Sequence, residues 1–86
     1  MPANVYMKSI NLGSPDWEAL ADEPLVMNAT VIASSKNTGN IDVRFREGAL
    51  AKWPPGAAAM LEGVDLSEIE VKGSSGHWVL VVGYTR

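Results

Sequence analysis

Between residues 39 and 86 the chain alternates short apolar-rich stretches with Gly, Pro and Ser turns, and no segment offers a helix long enough to cover a sheet. Ile41, Val43 and Phe45 alternate with Asp42, Arg44 and Arg46. Strand side chains point to opposite faces in turn, so this pattern predicts a strand with one buried and one wet face. The same reasoning places Ile69 and Val71 inward and Glu68, Glu70 and Lys72 outward. The closing run Trp78-Val79-Leu80-Val81-Val82 is apolar on both faces. Exposed at a sheet edge, it would template aggregation, so it is expected inside its sheet or under a neighbouring subunit, with Trp78 in the core.

Upstream, residues 4–10 have the β-branched and aromatic content of a strand and end at the turn-rich Asn11-Leu12-Gly13-Ser14-Pro15. Asp16-Trp17-Glu18-Ala19-Leu20-Ala21 has an acidic start, compatible with a short helix or an irregular loop before Pro24. Residues 25–33 read as a long strand. Ser34-Ser35-Lys36-Asn37-Thr38-Gly39-Asn40 supplies the turn into the next strand, which predicts a hairpin. Trp53-Pro54-Pro55-Gly56 favours a surface turn, since two prolines cannot sit in a central ladder. Gly73-Ser74-Ser75-Gly76 is expected as a flexible hairpin tip. The fold class predicted is all-β: one small antiparallel sandwich or jelly roll of about six strands over residues 1–86, with at most one short helix. Residues 1–24 are a candidate N-terminal arm, because their apolar residues have no obvious partner in the hairpins.

An 86-residue chain has room for one core, and small scaffolds often need disulfides, metals or subunit contacts as support. With no cysteine and one histidine, the first two are not expected and oligomerisation remains. At 47% hydrophobic and 20% charged residues the composition is that of a folded domain. The net charge of −3 provides no positive field for nucleic acid. Lys36, Arg44, Arg46 and Lys52 are interleaved with Asp42 and Glu47, as on a solvated mixed-charge face. The N-terminal residues lack the pattern of a signal peptide and the longest apolar run is far too short to span a bilayer, so a cytoplasmically made, non-membrane protein is expected.

Enzymatic chemistry is not expected. His77, between Gly76 and Trp78, is the sole histidine available as a base and reads as an exposed or turn-bonded residue. Glu68 and Glu70 share a strand face, as a carboxylate pair for acid–base work would, but alternation with Ile69 and Val71 explains them as outward solvated charges. Asp65, Glu68 and Glu70 lack the glycine and ligand order of a calcium loop, and Gly73-Ser74-Ser75-Gly76 precedes a strand where a phosphate cradle precedes a helix. No cofactor or metal is predicted. The residues left to meet a partner are Tyr6, Trp17, Trp53, Pro54 and Pro55, with Trp53 either a surface anchor or a lid over the core.

From Ala29 onward the order of pieces resembles small virion proteins of tailed bacteriophages, a group of short β-sandwich or jelly-roll domains. The resemblance lies in Ser35-Lys36-Asn37-Thr38-Gly39-Asn40 leading to Ile41-Asp42-Val43-Arg44-Phe45, then Pro55-Gly56 and an apolar strand. Val64-Asp65-Leu66-Ser67-Glu68-Ile69-Glu70-Val71-Lys72-Gly73 and a short apolar closing strand complete it. Residues 46–53 depart from it, replacing a more polar, glycine-rich insertion. The resemblance implies a structural, self-associating component of a phage particle, a capsid decoration protein or a fibre or tail accessory, whose partners are further copies and a capsid or tail protein. A carbohydrate-binding or adhesion module with Trp53 and Tyr6 as stacking platforms is the alternative.

Overall fold

The computed structural model of the chain describes residues 5–13 and 16–85; Asn4, at the start of the expected first strand, and Ser14 and Pro15 of the expected turn lie outside the described residues. Eight strands form among them: β1 (Val5–Asn11), β2 (Glu18–Ala19), β3 (Val26–Ala33), β4 (Ile41–Phe45), β5 (Ala51–Trp53), β6 (Ala58–Asp65), β7 (Ile69–Lys72) and β8 (Trp78–Tyr84), with a 3-10 turn at Leu66–Glu68. Two four-stranded sheets result, ordered β1-β8-β3-β6 and β2-β7-β4-β5. The antiparallel pairs β1 with β8, β2 with β7, β3 with β6 and β4 with β5 nest inside one another, as if one long hairpin had been rolled up. This is the jelly roll.

Alternation builds the inner faces. Met27, Ala29, Val31 and Ala33 of β3 and Val79 and Val81 of β8 point inward from the first sheet, and Ile41, Ile69 and Val71 meet them from the second. Leu12, Leu20 and Leu66, carried on connections, close the ends of the same core. Each such fully buried aliphatic side chain contributes about 1.5–3 kcal/mol relative to exposure.

The closing strand lies between β1 and β3, inside its sheet as its composition requires. Four other expectations change. The strand count is eight because β2 and β5, two and three residues long, are too short to show a period; such stubs also blunt a sheet edge. Residues 16–21 form neither a helix nor a wholly irregular loop, since β2 lies within them. The turns after β3 and after β7 are not hairpin tips: β3 and β8 belong to the first sheet, β4 and β7 to the second. Turn residues signal a reversal of direction, whereas the sheet that receives the next strand is set by which inner faces must meet. Finally, β1 pairs with β8 along all seven of its residues, and Ile10, Leu12, Leu20 and Ala21 are core, so the described part of residues 1–24 is wall and edge strand, not a free arm.

Two connections are fixed by specific chemistry. In the Pro54-Pro55-Gly56-Ala57 turn, Ala57 N–H bonds to Pro54 C=O at 3.0 Å and Gly56 takes φ +83°, the geometry of a type II turn. Gly56 N–H and Ala57 C=O then bond to Ala33, docking the turn on the end of β3. Asp65 Oδ1 accepts from Leu25 N–H (3.0 Å), Ser67 N–H (3.0 Å) and Ser67 O–H (2.7 Å), capping the 3-10 turn and tying it to the start of β3.

Candidate interaction surface

The outer faces of the two sheets carry opposite chemistries. On the second, Arg44 Nε bonds Glu70 at 2.9 Å and Lys52 Nζ bonds Asp42 at 3.1 Å, each pair joining neighbouring strands. Arg46 grips Glu68 with two guanidinium nitrogens, one at 3.1 Å, and Glu68 raises the Arg46 guanidinium above its ordinary value, chiefly by that hydrogen bond and then by its charge. The Arg44 guanidinium also stacks on Trp17, 4.1 Å from the ring centre, with the Lys72 ammonium 5.7 Å away. Exposed pairs of this kind are screened by solvent and contribute little to stability. Their consequence is a polar face whose charges are matched among themselves.

The first sheet is different. Its registers place Met7, Val82, Thr30 and Met60 in one outward row across all four strands, and Ser9, Leu80, Ile32 and Ala58 in the next. Val5, Tyr84 and Asn28 form a third row, and Asn11 with Trp78 begins a fourth. Met60 is 81% exposed, Met7 73% and Val5 63%, with Trp78, Leu80, Val82 and Tyr84 each near 40%. The outward positions of β1, β8 and β3 hold no charged residue. The carboxylates of this face, Glu62 and Asp65, are on the edge strand β6, and Asp65 is occupied by Leu25 and Ser67. A β-bulge at the same edge, where Gly63 takes φ +60° and its N–H bonds Asn28 Oδ1 at 2.9 Å, shifts the register by one residue before pairing resumes at Met27 and Val64.

Tyr6, Trp17, Trp53, Pro54 and Pro55 have separate places in the fold. Tyr6 is half-buried on the inner side of β1 and donates its hydroxyl to Leu20 C=O at 2.8 Å. Trp17 lies half-buried under Arg44 on the polar side, and Trp53, at the end of β5, packs partly buried against the core, which is the lid position. Pro54 and Pro55 are exposed in the docked turn. Trp78, expected in the core, stands on the outer face at 40% exposure; the inward positions of β8 belong to Val79, Val81 and Gly83. The surface residues of this face not singled out as partner contacts from sequence are Val5, Met7, Met60, Leu80 and Val82. Their signal is the two-sided apolar closing strand: centrality covers its edges, and one of its two faces still lacks a cover.

His77 is buried at 4% exposure and bonded within its turn. Ser74 N–H donates to Nδ1 at 3.2 Å, so the neutral ring carries its proton on Nε2 and donates it to Thr38 Oγ1 at 3.1 Å. Gly73, where an added Cβ would meet Leu12 and His77 within about 3.2 Å, leaves the room the ring needs. Its hydrogen-bond partners among the described residues are Ser74 and Thr38, not a carboxylate, and Glu68 and Glu70 are engaged by Arg46 and Arg44. Among the described residues no three His, Asp or Glu side chains converge as metal ligands, and no helix is long and apolar enough to cross a membrane.

Fold and surface together define an eight-stranded jelly roll with one charge-matched and one apolar outer face. No protein-family model matches the chain, and no curated protein matches it. Among solved structures it is similar to protein NMB1881 from Neisseria meningitidis, at 13% identity over 96% of this chain and 74% of that chain, with a TM-score of 0.56. At that identity the likeness concerns the fold alone.

Proposed function

We propose that this protein is a non-enzymatic structural module that works by docking, with the outer face of the β1-β8-β3-β6 sheet as its adhesive surface. The observation that carries the reading is the contrast between the faces. One sheet covers itself with ion pairs, while the other leaves Met7, Leu80, Val82, Tyr84 and Met60 in water. Of the ten large hydrophobic side chains exposed among the described residues, eight lie on this face: Val5, Met7, Val26, Met60, Trp78, Leu80, Val82 and Tyr84; contiguous exposed apolar surface of this kind marks an interaction site.

Within that class, the narrower reading is a component of a bacteriophage particle, a decoration or accessory protein attached to capsid or tail. What supports it is the strand-and-turn pattern from Ala29 to the end of the chain; a jelly roll by itself hosts many unrelated functions. Mass spectrometry of purified particles from the phage or prophage whose genome encodes the chain tests it. Recovery in a fixed ratio to the major capsid or tail protein is the expected result; particles free of the chain, with all of it in the soluble fraction, contradict the reading.

A further inference from the structure

We infer that the apolar face is covered by the same face of a second copy of this chain, in an isologous, sheet-on-sheet dimer. The inference rests on the docking reading above and names the occupant of that surface. Three observations select a second copy.

The first is charge. Outward positions on β1, β8 and β3 carry no ionised group, so the face offers nothing for a charged partner to complement. Its natural complement is another uncharged apolar sheet, and the chain owns one such face, since the other is occupied by Arg44–Glu70 and Lys52–Asp42. Residual charge sits at Glu62, on the edge strand, where a rim contact keeps it in water.

Extent is the second. Eight of the ten large hydrophobic side chains exposed among the described residues are gathered on this one face across all four strands, so a second copy laid on it covers nearly all of the exposed apolar side chains at once. The third is geometry. Strands of packed sheets run within about 30° of one another at a spacing of about 10 Å, with side chains interdigitating, and the four rows of this face supply the knobs. Its centre falls between β8 and β3, so Leu80, Val82, Thr30 and Ile32 lie nearest the two-fold axis, with Met7 and Met60 toward opposite sides.

Multi-angle light scattering of the full chain, over a concentration series, tests the inference beside Leu80→Glu, Met60→Glu and a control, Ser35→Glu, on an exposed loop. The expected result is twice the chain mass for wild type and Ser35→Glu, and a dissociation constant raised about 100-fold or more in Leu80→Glu, which buries an unpaired carboxylate. Met60→Glu, at a position 81% exposed on the edge strand, shows the same direction with an unchanged circular dichroism spectrum, so a folding defect in Leu80→Glu does not decide the outcome. A wild type monomeric at every concentration overturns the inference, as does a dimer that both face variants leave intact, or a monomer that instead binds phosphatidylcholine vesicles through this face. A monomer found in fixed ratio on purified particles overturns the dimer and upholds the particle reading, whereas a dimer absent from particles upholds the dimer and overturns the particle reading.

Discussion

Asn37 pairs with Trp78 as a further strand residue would. Its side-chain Oδ1 accepts from Trp78 N–H at 2.8 Å and its Nδ2 donates to Trp78 C=O at 3.2 Å, so an amide from the β3–β4 turn imitates one rung of the sheet at the start of β8. Asn37 is 6% exposed. Asn37→Ala takes this partner from Trp78 N–H, while Trp78 C=O keeps its bond from Ser34 N–H at 3.0 Å, and the change is expected to cost about 1–3 kcal/mol, read as a lower urea midpoint at constant slope. An unchanged midpoint contradicts this role.

Gly83 lies on the inner side of β8, where an added Cβ would run into the Met27 sulfur and come within 3.3 Å of Asn28 C=O. Gly83→Ala is therefore expected to destabilise by about 1–3 kcal/mol, an overpacking cost. Met27→Ala alone opens a cavity at a cost of about 2–5 kcal/mol. Because the added methyl enters the space the sulfur leaves, the double variant is predicted to be more stable than the sum of the two effects. A double-mutant cycle that closes additively contradicts the contact.

The carboxylate of Asp65 is held below the usual value of about 3.9, first by the Leu25 N–H and then by the Ser67 hydroxyl. Its folded-state value is depressed, so its contribution is fully present above the unfolded value and is lost as pH falls through the folded one. Acid titration below about pH 4 is thus expected to weaken the wild type more than Asp65→Asn, which keeps an acceptor oxygen but does not ionise. Urea midpoints at pH 7 and pH 3 check this; parallel losses in the two proteins rule it out.

In the β4–β5 connection Arg46 and Glu47 both adopt left-handed backbone, with φ of +51° and +58°, and Gly48 N–H closes the turn on Phe45 C=O at 2.9 Å. Two positive φ values in succession are those of a type I′ turn, which glycine and asparagine accept at less cost than glutamate. Glu47→Gly is predicted to raise stability by up to about 1 kcal/mol, seen as a higher thermal midpoint, and a lower midpoint contradicts the assignment. Arg46 is the poorer choice for this test because its grip on Glu68 would be lost with it.

Strands β4 and β7 were legible because their apolar residues alternate and one residue's face fixes its neighbours', and β8 because it is a continuous apolar run bounded by turn residues. Which strands share a sheet was not, because register partners such as Lys8 and Val81 are 73 positions apart and no local pattern encodes them. The two-residue β2 and three-residue β5 carry too few side chains to show a period. At the surface, the aromatic and proline-rich residues Tyr6, Trp17, Trp53, Pro54 and Pro55 attract attention as single residues, whereas the apolar face exists only once β1, β8, β3 and β6 are laid side by side. Trp78 illustrates the limit. A two-sided apolar strand states that both faces need cover, not which side chain goes to which face.

Methionine oxidation with dilute peroxide, followed residue by residue, reads whether the outer face of the β1-β8-β3-β6 sheet is covered in the assembled protein. Met7 and Met60 stand in the same outward row and are widely exposed in the isolated chain, while Met27 is core at 4%. Thioether oxidation follows access, so the account predicts that Met7 and Met60 oxidise slowly in concentrated wild type and several-fold faster in Leu80→Glu, with Met27 slow in both. Equal, fast oxidation of Met7 and Met60 in the two proteins would contradict it.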